Sequence, residues 1–440
     1  MARLWSHGST LYGGTWVDRP QGLILVFRIL HLVGGSPLAM RAAAAVVAAL
    51  VVAATMLVTL RLARGRITAV TAGLLAATVG GSPFIESFTL SGELLASLPA
   101  VLSLLCFCGY LEGRERAFRH NRLLLSLAGA GLLTGIAVMI KQSAFDAGLA
   151  AVVYLLWTER RRGLGPAGVL IGAALVPVAI AAASAARLSD WLYAVVGYRF
   201  DGDSLLNGSL SGRAHQFWLT LPAAGKALGL LAVLAAVGWR HSPLLARIWL
   251  GAALLGTLAG GNFHPHYYLQ LVPPLSLLGA VGLRTLWLSA PRAAIATAGA
   301  ATAATLALAI PVAWASPGDQ AETIWPADPH LVHDGALSRY VRAHTGPSDR
   351  VLAIWADADL YYLADRRPVV RYLWSRNIAS IPGALNDVRR ALATRRAQLV
   401  LVVQPPAKLD PSGRTAALLH REYHRVAAVA GATVYGARAR

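Results

Sequence analysis

Charge is scarce in this chain of 440 residues: Asp, Glu, Lys and Arg make up 14%, against 56% hydrophobic residues, and mean hydropathy is +0.54. Soluble globular domains carry about 25% charged residues, so the shortage excludes an ordinary soluble protein and points to an integral membrane one. Cysteine is scarcer still. Cys106 and Cys108 are the only two, and on a helix their side chains diverge by about 200°, so neither a disulfide nor a metal site follows. The stretch Met1–Asp18 lacks the apolar core of a cleavable signal peptide; insertion then relies on the first internal span, or on a helix upstream of this chain. Acids are few, 21 against 40 basic residues, for a formal net charge of +19. Nucleic acid is excluded as the partner because no recognition motif accompanies that charge and the arginines sit in short loops between apolar runs, as membrane topology requires.

What is present is a succession of apolar runs. Pro20–Val33 carries Arg28 and His31 and is too short for a span of about 20 residues, so an amphipathic helix at the interface is expected. Runs near the length of a crossing follow at about 37–62, 67–84, 91–111, 122–140, 143–158, 166–187, 217–238, 244–260, 267–288 and 292–315. The expectation is a mostly α, polytopic bundle of about ten spans. Three domains are expected: an outer loop with interfacial helix (1–36), a transmembrane domain (37–315) and a soluble α/β domain (316–440).

Arginines mark alternate loops: Arg61, Arg64 and Arg66; Arg114 to Arg122; Arg160 to Arg162; Arg240 and Arg247; Arg284 and Arg292. By the positive-inside rule these are cytoplasmic. The intervening loops hold Glu86 and Glu93, Lys141 to Asp146, Asp190, Asp201 and Asp203, then His264 and His266. With an even number of spans, those loops, Asp18 and everything after Ser316 are expected on the extracytoplasmic side. Beyond Ser316 a helix is expected over 336–345, strands at Val351–Trp355, Val369–Trp374, Leu399–Val403 and Ala432–Tyr435, and helices at Asp359–Ala364, Pro382–Arg396 and Thr415–His424. That alternation implies a small α/β domain. Without a Gly-rich phosphate loop, a nucleophile elbow or metal-ligand spacing, it is not expected to be catalytic.

Acids gathered on one face suit either passage of a solute or chemistry on a lipid-linked substrate at the surface. Coupled carriers place ionisable residues near mid-membrane, and the centres of these runs are nearly free of charge, which favours surface chemistry. Lys141 lies almost within an apolar stretch, where a charge is costly and partnered or functional. Asp18, in Asp18-Arg19-Pro20, is either a proton acceptor or a loop acid that pairs with Arg19 or caps the helix after Pro20. Arg19, Lys141 and Arg199 are cations able to meet a phosphate. His264 and His266, separated by Pro265, reach a common cavity only if the segment is not helical. They then either join a Glu at a metal or hydrogen-bond at the interface beside Tyr267, and the second is preferred. A divalent cation is kept open as a cofactor, with no ligand assigned.

At these residues the chain resembles a known family. Tyr12 to Leu23, Ser91-Gly92-Glu93 with Leu98-Pro99, Gly135 to Gln142, and Phe263 to Pro273 resemble the outer-loop motifs of bacterial GT-C glycosyltransferases related to the protein O-mannosyltransferases (family 39). Val351 to Arg371 resembles the soluble tail of some members. The resemblance implies a multi-pass cell-membrane transferase with a GT-C fold. It would move a sugar from a polyprenyl-phosphate donor to the hydroxyl of a lipid, glycan or protein acceptor outside the membrane. Asp18 would belong to the catalytic loop, and Arg19, Glu93, Lys141, Gln142, Arg199, His266 and Tyr267 would contact substrate. The alternative is a transporter or flippase of lipid-linked sugars. Members of the family open with a transmembrane helix and an Asp-Glu pair, and Gln21 stands where a second Pro is common. The resemblance therefore implies either a chain that lacks its first helix, with the family's catalytic carboxylate upstream of Met1, or one in which Asp18 does that work alone, and the first is preferred.

Overall fold

The computed structural model describes residues 1–201, 210–259, 261–325, 330–355 and 358–438; Asp203 lies outside them. The described chain forms two compact units, one of Arg19–Ser184 with Leu210–Trp314, the other of Met1–Asp18, Ala185–Ser209 and Ala315–Arg440.

The first unit is helical. All ten apolar runs fold as helix over most of their length, and among the described residues seven helices are long and apolar enough to cross a membrane: Pro37–Ala63, Gly92–Glu115, His120–Ile140, Asp146–Ala183, Ser211–His241, Pro265–Ser289 and Pro291–Trp314. Two of the expected runs, Arg66–Gly80 and Leu244–Ala259, are apolar but shorter, and two others join into Asp146–Ala183, interrupted by a 3-10 turn at Arg160–Gly163. Gln21–Leu32 is a 12-residue helix begun by Pro20. The chain is a multi-pass membrane protein.

Local chemistry sets these helix ends. The hydroxyl of Ser36 accepts from the Ala39 amide, with Pro37 at the first turn, and the hydroxyl of Ser91 accepts from the Leu94 amide, satisfying donors that the helix itself leaves open. Within the spans, polar side chains bond to nearby carbonyls, as an apolar solvent demands. Thr55 donates to Val51 O at 2.7 Å and Thr59 to Thr55 O at 2.8 Å. Ser103 reaches across to the carbonyl of Ala130 at 2.7 Å, tying Gly92–Glu115 to His120–Ile140. Large apolar side chains such as Leu38, Ile67, Leu125 and Ile180 point outward, the face a lipid phase would cover.

The second unit is built on a five-stranded mixed sheet in the order β2-β1-β3-β5-β4. The strands are β1 (Arg350–Ile354), β2 (Arg367–Pro368), β3 (Leu399–Val402), β4 (Tyr423–Val429) and β5 (Ala432–Ala437). β1 is parallel to β2 and β3, while β5 runs antiparallel to β3 and β4. β1, β3 and β5 fall where strands are expected. The expected strand over Val369–Trp374 is replaced by the short β2: the Val369 amide makes a last bond to Val351 O at 3.1 Å, and the chain then leaves the sheet to start the helix Ser375–Ser380. The expected helix to His424 ends at Glu422, because β4 begins there.

Segments distant in sequence complete this unit. Leu4 packs against its core, Arg3 pairs with Asp365, and the Trp16 amide donates to Arg371 O at 2.9 Å. The Trp16 ring meets Tyr198 edge-on at 4.8 Å, and the Tyr198 hydroxyl lies 3.1 Å from Asn377 Oδ1. The loop Tyr12–Asp18 is thus held by the α/β unit through aromatic burial and backbone bonding.

Candidate active site

In the helical unit the chain stops being helical at Lys141 and resumes at Asp146. Lys141 has extended backbone, with φ −142° and ψ 118°, so its side chain leaves the end of one helix rather than lying along it. Its ammonium sits 2.6 Å from Glu93 Oε1 and 4.1 Å from the centroid of the Tyr267 ring. Both charged side chains are almost removed from solvent, 7% and 4% exposed, so little screening weakens the pair. Glu93 lies in the first turn of Gly92–Glu115, where the helix dipole also favours a carboxylate.

A second acid and a histidine extend the cluster. Pro265 opens the 3-10 turn Pro265–Leu271, with His264 as its N-cap, so both histidines project from a segment that is not α-helical, as their spacing requires. Their rings stack with centroids 5.4 Å apart. His266 Nδ1 is 2.7 Å from Glu86 Oε2, and its Nε2 lies 3.8 Å from Glu93 Oε2. Glu86 occupies the left-handed region at φ 52°, which an L residue adopts at some cost; there its carboxylate serves as the imidazole's partner. Arg19 acts electrostatically on Glu93 together with Lys141 and His266. Gln142 is half-buried at the helix break. Gly22 sits where a Cβ would lie 2.4 Å from Met139 O, so only glycine lets the Gln21–Leu32 helix approach the end of the Lys141 helix.

Sequence reading missed the support beneath this cluster. Asp146 is buried and accepts from Trp249 Nε1 through Oδ2 at 2.7 Å and from Gln270 Nε2 through Oδ1 at 2.7 Å. Gln270 also donates to Ser143 O at 3.0 Å. The loop that presents Lys141 is thereby fastened at its far end, and a narrow cleft lined by Glu93, Lys141, Asp146, Trp249 and Gln270 joins the two networks. An acid embedded in an apolar run was the available signal for Asp146; Trp249 had none. Glu86 was legible as an outer-loop acid but not as the partner of His266.

Asp18 and Arg199 meet within the α/β unit: one Nη2 of Arg199 donates to Asp18 Oδ2 at 3.2 Å and to Asp18 O at 3.1 Å. The guanidinium fixes both backbone and carboxylate. Of the eight expected site residues, then, the helical unit brings together Glu93, Lys141, His266 and Tyr267, with Arg19 and Gln142 on its neighbouring segments, and the α/β unit pairs Asp18 with Arg199. Among the described residues no group of three or more His, Cys, Asp or Glu side chains is placed to hold a metal ion.

A bundle of apolar helices with charged side chains collected at helix breaks, joined to a small α/β unit, defines a polytopic membrane protein of the GT-C fold. The solved structures that carry the likeness include ArnT from Cupriavidus metallidurans bound to undecaprenyl phosphate, at TM-score 0.58 and 14% identity over 95% of this chain and 87% of that one. The apo state of the same protein matches at TM-score 0.57 and 12% identity, over 96% and 88% of the two chains. The archaeal oligosaccharyltransferase AglB from Archaeoglobus fulgidus, in complex with an inhibitory peptide and a dolichol-phosphate, matches at TM-score 0.54 and 13% identity, over 88% of this chain and 62% of that one. At such identities the likeness is one of fold. No family model matches the chain, and no curated protein matches it in sequence.

Proposed function

We propose that the protein is a membrane glycosyltransferase that moves a sugar from a polyprenyl-phosphate donor to an acceptor hydroxyl on the extracytoplasmic side. The observation that carries this reading is the buried Lys141–Glu93 pair beside His266 and Tyr267 in a fold shared with proteins solved with polyprenyl or dolichol phosphate. Domains 1–36, 37–315 and 316–440 then serve as active-site loop, membrane body and extracytoplasmic tail.

In the reaction the bond between the anomeric carbon and the phosphate oxygen breaks, a bond from that carbon to the acceptor oxygen forms, and the lipid phosphate departs. Departure needs positive charge where negative charge develops. Lys141 supplies it: in its dry setting the ammonium is poorly solvated, and a phosphate oxygen competes with Glu93 for it. Arg19 adds a second cation. The acceptor's proton needs a base. Asp18 is assigned that part, oriented by Arg199, while His266, backed by Glu86, handles protons next to Glu93. Tyr267 and Gln142 shape the binding surface.

The test separates chemistry from folding. Removing one member of a buried ion pair costs about 3–5 kcal/mol, whereas replacing both by apolar residues of similar size is often neutral. Lys141→Met alone should lower stability in detergent and abolish sugar transfer in reconstituted vesicles. The double variant Lys141→Met with Glu93→Leu should recover stability but not transfer, and Asp18→Asn should lose transfer with stability intact. Transfer at the parental rate by the stable double variant would remove Lys141 from the mechanism.

A further inference from the structure

We infer that the α/β unit contains a binding site for a phosphate-bearing ligand, a phosphate monoester or a diphosphate, in the cavity between its N-terminal segment and the β1–β2 edge of the sheet. The cavity measures about 300 Å3 and is lined by His7, Ser9, Thr15, Arg350, Arg367 and Arg371, among others, a size at the lower end of small-molecule sites. Three arginines line it and no acidic residue does.

The placement of two of those arginines is what calls for a ligand. Arg350 and Arg367, both exposed, are register partners on neighbouring parallel strands, so their side chains leave the sheet edge one strand spacing apart, about 4.8 Å, and water only partly screens the two charges. Like charges directly opposite each other destabilise a sheet. Acids near in sequence are already engaged: Asp365 pairs with Arg3, and Asp349 accepts from the Gly346 amide at 2.7 Å. Arg371 is held over the Tyr372 ring, 5.0 Å from its centroid. An anion bridging Arg350 and Arg367 would turn their repulsion into attraction.

Phosphate fits that demand better than a carboxylate. Its charge of about −1.5 to −2 near neutral pH answers more than one guanidinium, and its oxygens leave in tetrahedral directions that several arginines can share, where one carboxylate saturates a single fork. Ser9 and Thr15, whose hydroxyls are hydrogen-bonded to each other at 2.8 Å, leave one hydroxyl proton as a neutral donor in the lining. The ligand is either a soluble phosphate compound or a lipid headgroup that ends in a phosphate monoester or diphosphate, and the chemistry of recognition is the same for both.

The full-length protein in phosphatidylcholine nanodiscs tests this with arginine-selective modification by phenylglyoxal, read peptide by peptide by mass spectrometry. Pyrophosphate should slow modification of Arg350 and Arg367 at least about fivefold while leaving Arg425, exposed on β4, unchanged. In a second arm, nanodiscs containing phosphatidic acid, whose headgroup is a phosphate monoester, and no added anion should protect the same two residues if the headgroup is the ligand, and leave them reactive if it is a soluble compound. The double variant Arg350→Gln with Arg367→Gln should bind pyrophosphate at least about tenfold more weakly by calorimetry. Unaltered reactivity in both arms, slowing that extends equally to Arg425, or parental pyrophosphate affinity in the double variant would overturn the inference, and the two modification arms are read on the unsubstituted protein.

Discussion

Lys141 and Asp410 illustrate two ways in which a buried charge is made tolerable. The Lys141 ammonium has one carboxylate at 2.6 Å and an aromatic face at 4.1 Å, a setting that holds the charge without saturating its donors and leaves it available to an incoming anion. Asp410, in the α/β unit, is saturated. Its Oδ1 accepts from the Ser412 hydroxyl at 2.6 Å, and its Oδ2 from the Thr415 hydroxyl at 2.6 Å, the Thr415 amide at 2.8 Å and Arg389 at 2.8 Å. Burial alone would push this carboxyl up; the hydrogen bonds from Ser412, Thr415 and Arg389 outweigh it and hold the group far below the usual carboxylate range. With the folded pKa depressed, the stabilisation is complete above the unfolded value of about 3.9 and is lost as pH falls below it. Hydrogen exchange of β3 and the Arg414–Glu422 helix should therefore accelerate as pH drops from about 5 to 3, after correction for intrinsic rates. Asp410→Asn should lower protection at neutral pH and flatten that acid dependence; an unchanged acid dependence would contradict the assignment. Lys141 was legible in the sequence because a charge stood out in an apolar run, whereas the pairing of Glu86 with His266 was not, since the two lie 180 positions apart.

At the scale of elements, the break between His120–Ile140 and the helix starting at Asp146 positions the site, and Gly256 on Leu244–Ala259 allows its support. A Cβ at Gly256 would lie 2.4 Å from Gln270 Nε2 and 2.5 Å from Ser143 O, and the second of these is backbone that cannot swing aside. Gly256→Ala should destabilise the protein in detergent by about 1–3 kcal/mol and reduce transfer by shifting the Lys141 loop. Gly251, on the same helix, faces open space, so Gly251→Ala should be neutral or stabilising by up to about 1 kcal/mol. Equal melting temperatures for the two variants would show that the close approach is not needed. Helices were legible as elements because apolar runs leave little else for a backbone to do. The edge strand β4 was not: Tyr423-His-Arg-Val-Ala-Ala-Val has mostly exposed side chains, and its pairing with β5 rests on the Ala430-Gly431 turn, where both residues have positive φ, 47° and 82°. Expecting a strand over 369–374 followed β-propensity into a segment that tertiary contacts pull away from the sheet.

For the whole molecule, composition and loop charge made the membrane bundle and the terminal α/β unit legible in the sequence. Not legible was the gathering of Met1–Asp18 and Ala185–Ser209 into that α/β unit, since the contacts that hold them, such as Trp16 with Tyr198 and Tyr198 with Asn377, join residues about 180 positions apart with no local pattern. The fold is compatible with both sugar transfer and movement of a lipid-linked sugar, and the chemistry of the Lys141 cluster argues for transfer. Purified protein in sealed proteoliposomes, given a radiolabelled polyprenyl-phosphate sugar and a cell-envelope acceptor extract, tests that claim directly. The account predicts label in a new glycosidic bond on the acceptor, with free polyprenyl phosphate as co-product, and none with the double variant Lys141→Met and Glu93→Leu; label that crosses the bilayer still attached to its lipid, with no new glycosidic bond, would contradict it.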